Sequence, residues 1–281
     1  MSESGSISVS IIITYYNSSE FIQKALEFSE KQRGVSKEII VVDDGSDDYH
    51  KRELKQHLNR IDVLLTQENR GQGSARNLGI ANARGKYILN WDSDDYFEPE
   101  FSEIALEKFA VDPSVKIVTC HALRTSDYIN GEIIKPLGGC YKNFLFDNAA
   151  LGSAMFKRED WERVDGYDEA QSVRGFEDWD FYLRILYPAG LAVVIPKPLF
   201  TYYRHQNSTT SKLSNFRMDK RQYIYTKNSE IYKNHYAELI SDVFRRLKKE
   251  EFEKNKNKQR LEYRLGDLLL KPLRILKRLL N

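Results

Sequence analysis

The sequence predicts an α/β fold with a mostly parallel central sheet flanked by helices. Three features point there. Short apolar, β-branched runs at 9–13, 38–42 and 87–91 show no polar alternation, as strands buried on both faces do. Helix-periodic stretches separate them, the order expected of βαβ units. Each run also stops in a polar or acidic loop.

The elements follow in order. Strand 9–13 runs into Thr14-Tyr15-Tyr16-Asn17, and Ser18 or Ser19 suits the cap of a helix whose Phe21, Ile22, Ala25 and Leu26 share a face. Strand 38–42 is halted by Asp43-Asp44-Gly45-Ser46, and 61–65 is a third strand after a charged helical stretch. A helix over 74–84 closes at Gly85, and strand 87–91 enters Asp92-Ser93-Asp94-Asp95. Pro99 opens a helix with Phe101, Ile104, Ala105 and Phe109 toward the core. Residues 115–120 form the next strand, and Asn130-Gly131 marks a hairpin turn. Helices over 158–164 and 177–187 and strands over 191–195 and 199–203 complete the domain.

A chain of 281 residues fits one α/β domain, placed over 1–214, plus a helical extension over 215–281. With 41% hydrophobic and 30% charged residues it has material for a core and is not a wholly disordered chain. A net charge of +2 lacks the basic excess of a phosphate-tracking surface, so nucleic acid is not an expected partner. Cys120 and Cys140 make neither a zinc spacing nor a disulfide framework. Residues 1–8 have no basic and apolar leader, and no stretch approaches the ~20 apolar residues of a spanning helix, so a cytoplasmic protein is expected. Residues 265–280 place Leu268, Leu269, Leu273, Ile275 and Leu276 beside Lys271, Arg274, Lys277 and Arg278, interrupted by Pro272. Peripheral docking on the anionic inner face of a membrane and packing on protein, its own domain or a second copy, fit this pattern equally.

In parallel α/β sheets ligands bind beyond the carboxyl ends of the strands. Here the polar loops at 14–17, 43–48, 69–71 and 92–95 meet at that edge, and together suit a nucleoside diphosphate with a divalent metal. Mn²⁺ or Mg²⁺ takes hard oxygen ligands, commonly one or two carboxylates plus phosphates. Asp92 and Asp94, flanking Ser93, can reach one ion or the adjacent ribose. Asp44 can accept from a base imide or ribose hydroxyl, Tyr16 offers a ring to the base, and the Thr14 backbone reaches the base edge. Arg76 opens a helix after a glycine loop and can meet phosphate. An isolated Asp pair is more often a solvated turn, but four loops on one edge reverse those odds. Gly71-Gln72-Gly73 lacks the third glycine of a dinucleotide fingerprint, and the segment 79–86 has the wrong spacing for a phosphate-binding loop.

A second constellation is Gly175-Phe176-Glu177-Asp178-Trp179-Asp180. Acidic residues opening a helix favour the macrodipole, and a carboxylate kept ionised there can also serve as general base, so both readings stand. His205, just past a strand, can ligate the metal or bond the diphosphate, although a surface histidine without a role is commoner.

At these motifs, with Gly152-Ser153-Ala154-Met155, the chain resembles the inverting family 2 glycosyltransferases of GT-A fold over roughly residues 8–210. Thr14 departs from the proline often found before the tyrosine loop. The resemblance implies a UDP-type nucleotide-sugar donor around Thr14, Tyr16, Asp44, Asn69 and Arg76. Asp92 and Asp94 would be the Asp-x-Asp motif with its Mn²⁺ or Mg²⁺, and Gly152 and Ser153 the lining of the sugar pocket. Asp178 would be the base, with Glu177 turned toward acceptor or donor sugar. A hexosyl transfer to a glycan or lipid-linked acceptor, in cell-surface polysaccharide synthesis, is the expected activity. A nucleotidyltransferase would need a basic glycine-rich loop after the first strand, which Tyr15-Tyr16-Asn17-Ser18 is not. A non-catalytic binding module has no need of both acidic motifs.

Overall fold

Strands β1 (Val9–Tyr15), β2 (Lys37–Asp43), β3 (Val63–Thr66) and β4 (Tyr87–Asp92) lie parallel in the order β3-β2-β1-β4. Every residue of β1 is buried, which explains its unalternating run of isoleucine and valine. Helices α1 (Ser19–Glu30), α2 (Asp48–Lys55) and α3 (Gln72–Ala81) make the connections, and α1 buries Ile22, Ala25 and Leu26. The computed structural model describes residues 7–126, 130–204 and 217–260.

The sheet continues through β5 (Tyr96–Phe97), β6 (Val115–Thr125), β7 (Gly131–Ile134), β8 (Gly139–Cys140), β9 (Ala154–Lys157) and β10 (Leu191–Tyr203). Its main path runs β3-β2-β1-β4-β9-β6-β10-β5. Strand β9 is antiparallel to both β4 and β6, while β6 and β10 are parallel. The runs 191–195 and 199–203 are one strand, β10, and not two. Its register slips at Ile195/Pro198 and Pro198/Phe200, because prolines have no N–H to offer the ladder and the strand bulges past them. The hairpin read at Asn130-Gly131 is β6–β7, with Thr125 paired to Gly131.

Three helices pack on this part of the sheet: α4 (Phe101–Val111), α5 (Arg158–Arg163) and α6 (Glu177–Leu186). Phe97 of β5 stands with its ring 4.1 Å from Phe101 and 4.6 Å from Phe200. Aromatic burial of this size anchors a strand of only two residues, and so fixes the acidic loop immediately before it.

The chain forms two compact units, Met1–Asn228 and Ser229–Asn281. The first includes α7 (Arg217–Lys227), whose Lys227 bonds Asp168 at 2.6 Å and Asp180 at 2.8 Å. Asn228 adds a bond to Asp180 at 2.8 Å. In the second, α8 (Ser229–Lys233) precedes α9 (Tyr236–Gln259), where Arg246 pairs with the buried Asp242. No described helix is long and apolar enough to cross a membrane. Residues 265–280, with their basic amphipathic pattern, lie outside the described residues.

Candidate active site

The tips of β1 and β2 are stitched together by their own loops. Asn17 adopts a left-handed conformation (φ 48°), and its Oδ1 accepts from the Asp47 N–H at 2.9 Å. Its own N–H donates to Ser46 Oγ at 3.0 Å. Asparagine tolerates this region better than other non-glycine residues. Tyr16, just before it, remains 52% exposed with its ring available at the edge. The Asp44 carboxylate accepts from Gln67 Nε2 at 2.7 Å and from the Arg70 and Gly71 N–H groups, each at 2.9 Å. Three bonds fill most of a carboxylate's roughly four acceptor positions, so Asp44 also holds the 69–71 loop in place.

Gly71 caps α3 with φ 95°, a conformation glycine takes without steric cost. Arg174 presses on it, with its Nη2 only 2.4 Å from where a Cβ would stand, and donates to Asn69 Oδ1 at 3.5 Å. Gln67 and Arg174 were not evident from sequence, since nothing in their spacing marks them.

Asp92, at the end of β4, accepts on Oδ1 from Thr14 Oγ1 at 2.8 Å and from Arg76 Nη2 at 3.1 Å. Thr14 therefore works through its hydroxyl, where a proline could supply nothing. Ser93 Oγ bonds Ser18 Oγ at 2.6 Å, so the hydroxyl expected to cap α1 is turned to the acidic loop instead. Ligand oxygens of Asp92, Asp94 and Asp95 all lie within 4.8 Å of one another. Burial first, then the Asp94 and Asp92 charges, push the Asp95 carboxyl well above the usual carboxylate range. Such crowding of hard oxygens fits a divalent cation, which would relieve the repulsion. Asp95 was legible only as the end of an acidic run. The Tyr203 N–H donates to it at 2.9 Å, which ties the loop to β10.

Arg76 is 2% exposed and lies inside, beneath the acidic loop. Oriented to satisfy its neighbours, the Asn90 amide accepts from Arg76 Nε at 3.3 Å and donates to the Ala154 carbonyl at 2.9 Å. The Tyr167 ring, 5.5 Å from the guanidinium carbon, forms its floor. Asn77 sets that floor, accepting from the Tyr167 N–H at 2.8 Å and donating to the Tyr167 carbonyl at 2.8 Å.

Asp178, in the first turn of α6, is partly exposed, and its Oδ2 accepts from Asn148 Nδ2 at 2.7 Å. Burial raises the Asp178 carboxyl above the usual range, and the Arg76 charge pulls part of the way back. The charges of Asp92 and, less strongly, Asp178 both act on Arg76. The same meeting is visible in the backbone. The β4–β9 ladder ends at Asn90↔Ala154, two residues before Asp92 and two after Gly152, and Gly152 abuts Asp178.

The three acids of the α6 motif part company. Glu177 is 5% exposed, accepts from the Gly175 N–H at 2.6 Å, and is raised by burial. Asp180 is fully buried and bound to Arg184, Lys227 and Asn228. Of the three, Asp178 alone is only partly buried. Ser153, next to Gly152 in sequence, is buried, and the Gly152 carbonyl accepts from Tyr182 Oη at 3.0 Å. His205 lies outside the described residues.

A model of glycosyl transferase family 2 matches residues 10–156, from β1 through β9. The chain belongs to glycosyltransferase family 2. A second family model, the N-terminal domain of galactosyltransferase, matches residues 143–208, the part that carries Gly152 and Asp178. Chondroitin synthase of Escherichia coli is 32% identical over 190 residues, 63% of this chain and 26% of that protein. Hyaluronan synthase of Pasteurella multocida is 29% identical over 190 residues, 63% of this chain and 18% of that protein. The chain therefore spans about a quarter or less of these relatives.

Among solved structures, S. aureus TarS 1-349 in complex with UDP-GlcNAc matches with a TM-score of 0.62 at 18% identity, covering 76% of this chain and 64% of that one. The mannosyltransferase PcManGT from Pyrobaculum calidifontis, in complex with GDP-Man and Mn²⁺, matches at 0.55 and 17%, covering 94% and 84%. At such identities the likeness shows the fold, and the fold of this family 2 transferase is GT-A.

Proposed function

We propose that this chain moves a sugar from a nucleoside diphosphate donor, UDP-linked, to a hydroxyl of a glycan or lipid-linked acceptor, with inversion, in building a cell-surface polysaccharide. One observation carries the reading: the β4–β9 ladder ends two residues from Asp92 on one strand and two from Gly152 on the other, and Gly152 abuts Asp178. Donor phosphates and acceptor hydroxyl then meet across one short gap.

Tyr16 packs on the base, Asp44 and the 69–71 loop frame the nucleoside, and Asp92 and Asp94 hold Mn²⁺ or Mg²⁺ with Ser93 between them. The cation, when bound, neutralises charge on the departing diphosphate. Arg76 holds the Asp92 carboxylate in position through its 3.1 Å bond. Asp178 takes the proton of the acceptor hydroxyl as that oxygen attacks the anomeric carbon. Its raised carboxyl suits the task, because a base works best with a pKa nearer the operating pH. Gly152 and Ser153 line the sugar, and Glu177 fixes the loop before the base. The polymer synthases among the relatives and the UDP-GlcNAc held by the TarS structure support donor and acceptor class.

Thermal unfolding with Mn²⁺ and a panel of UDP-sugars, followed by release of UDP with and without oligosaccharide, tests the reading. A stabilising UDP-sugar whose release of UDP rises with acceptor is expected. A protein that ignores every UDP-sugar in both assays has another function.

A further inference from the structure

Beside the catalytic helix, within the same compact unit, is a cavity of about 540 Å³ that the donor and base leave unused. Gln171 and Ser172 form one wall, on the loop that leads into Glu177 and Asp178. The other wall is one face of α7: Asp219, Gln222, Tyr223 and Thr226 recur at helical spacing over about 10 Å of axis. The volume falls in the range of small-molecule sites.

We propose that this cavity is a subsite for the acceptor glycan, holding sugar units behind the one whose hydroxyl faces Asp178. The inference rests on the acceptor reading above and names where the rest of that chain lies. Amide and hydroxyl side chains facing an aromatic ring match a pyranose, which presents hydroxyls at its rim and C–H groups on its face. Tyr223 is held for this by its hydroxyl, which donates to Asp168 Oδ2 at 3.0 Å, while Lys227 pins the same carboxylate. A phosphate ligand is disfavoured: the one basic lining residue, Lys220, is buried, donates to the Gln171 carbonyl at 3.4 Å and stands near Glu177. A cation is disfavoured because Asp219 is the lone carboxylate of the lining. An elongated ligand leaving the cavity along the 171–176 loop arrives at the first turn of α6, where Asp178 sits.

The test uses the full chain and two probes of each kind, di- and hexasaccharides of chondroitin and of hyaluronan, titrated by calorimetry with UDP and Mn²⁺ present. Ser172→Trp and Gln222→Trp fill the cavity from opposite walls at exposed positions, so folding is checked simply by an unchanged melting temperature. Wild type is expected to bind a hexasaccharide more tightly than its disaccharide. Each tryptophan should weaken the hexasaccharide about tenfold or more while leaving disaccharide and UDP unchanged. Hexasaccharide binding that is indifferent to both substitutions, or absent from wild type, overturns the subsite. UDP binding and UDP-sugar hydrolysis by wild type report the donor reading separately. Their loss alongside tryptophan-sensitive glycan binding would sink the transferase proposal and leave the subsite standing.

Discussion

Gly152 lies directly against Asp178: a Cβ at residue 152 would stand 3.1 Å from Asp178 Oδ2. The backbone at Gly152 needs no left-handed conformation, so alanine is acceptable to the chain and objectionable only to the carboxylate. Gly152→Ala should keep the wild-type melting temperature yet lose about ten- to a hundredfold in turnover, since small misplacements of a reacting group are costly. Wild-type kinetics in this variant would detach residue 152 from the chemistry.

Asp178→Asn separates proton transfer from binding. A general base contributes about 10²–10⁴-fold, and the amide keeps the oxygen that Asn148 bonds, so turnover should fall by that order with UDP affinity unchanged. An unaltered rate removes Asp178 from the role of base.

The same substitution has a stability consequence with a definite sign. The folded protein holds the Asp178 proton more tightly than the unfolded chain does. The stability this gives is present below the unfolded pKa of about 3.9 and is lost as pH rises through the higher folded value. At neutral pH the ionised carboxylate therefore works against folding, and Asp178→Asn should melt above wild type. The gap should close as pH falls toward about 4 and below. Parallel curves at all pH values would mean that burial does not act on this carboxyl as described.

Asp92, Asp94 and Asp95 gather within 4.8 Å, so a cation should be felt as stability. With UDP present and Mn²⁺ at about a hundredfold its Kd, unfolding should cost about 2.7 kcal/mol more than in chelator. Asp94→Asn should erase most of that increment. An increment of the same size in this variant places the ion elsewhere.

Asp180 shares its motif with the base but faces inward. Removing it strands Arg184 and Lys227 beside a fully buried gap, and breaking a buried pair costs about 3–5 kcal/mol. Asp180→Ala should unfold at markedly lower denaturant, with whatever fraction stays folded retaining normal UDP affinity. A variant as stable as wild type would show the cluster to be dispensable.

The parallel half of the sheet was readable because its strands carry apolar runs without alternation and stop at conspicuous polar loops. Strand β9 was visible only as a short motif, since four residues give too little pattern to separate strand from loop. The two strands expected over 191–195 and 199–203 are one, β10, because the ladder bulges past the prolines between them and then resumes. Helix α3 starts at Gln72 and ends at Ala81, against 74–84 expected, because Gly71 and not a serine begins it. At the site, Asp92, Asp94 and Asp178 announced themselves by residue type at strand and helix ends. Asn148, Tyr167 and Gln67 did not, because each reaches its partner only through tertiary folding. Arg76 was legible from its place at a helix start, but not its depth or its bond to Asp92, which helix position alone does not encode.

The reversed polarity of β9 lets two differently built halves of the chain share one rim. Every parallel neighbour delivers its carboxyl end there, whereas β9 delivers its amino end, and with it Gly152. On the proposed function, nucleotide-facing loops come from residues before 100, and sugar-facing ones from residues after 145. Evolution can rewrite the second set without disturbing the first, which makes a change of acceptor or transferred sugar a shorter mutational step than a change of base.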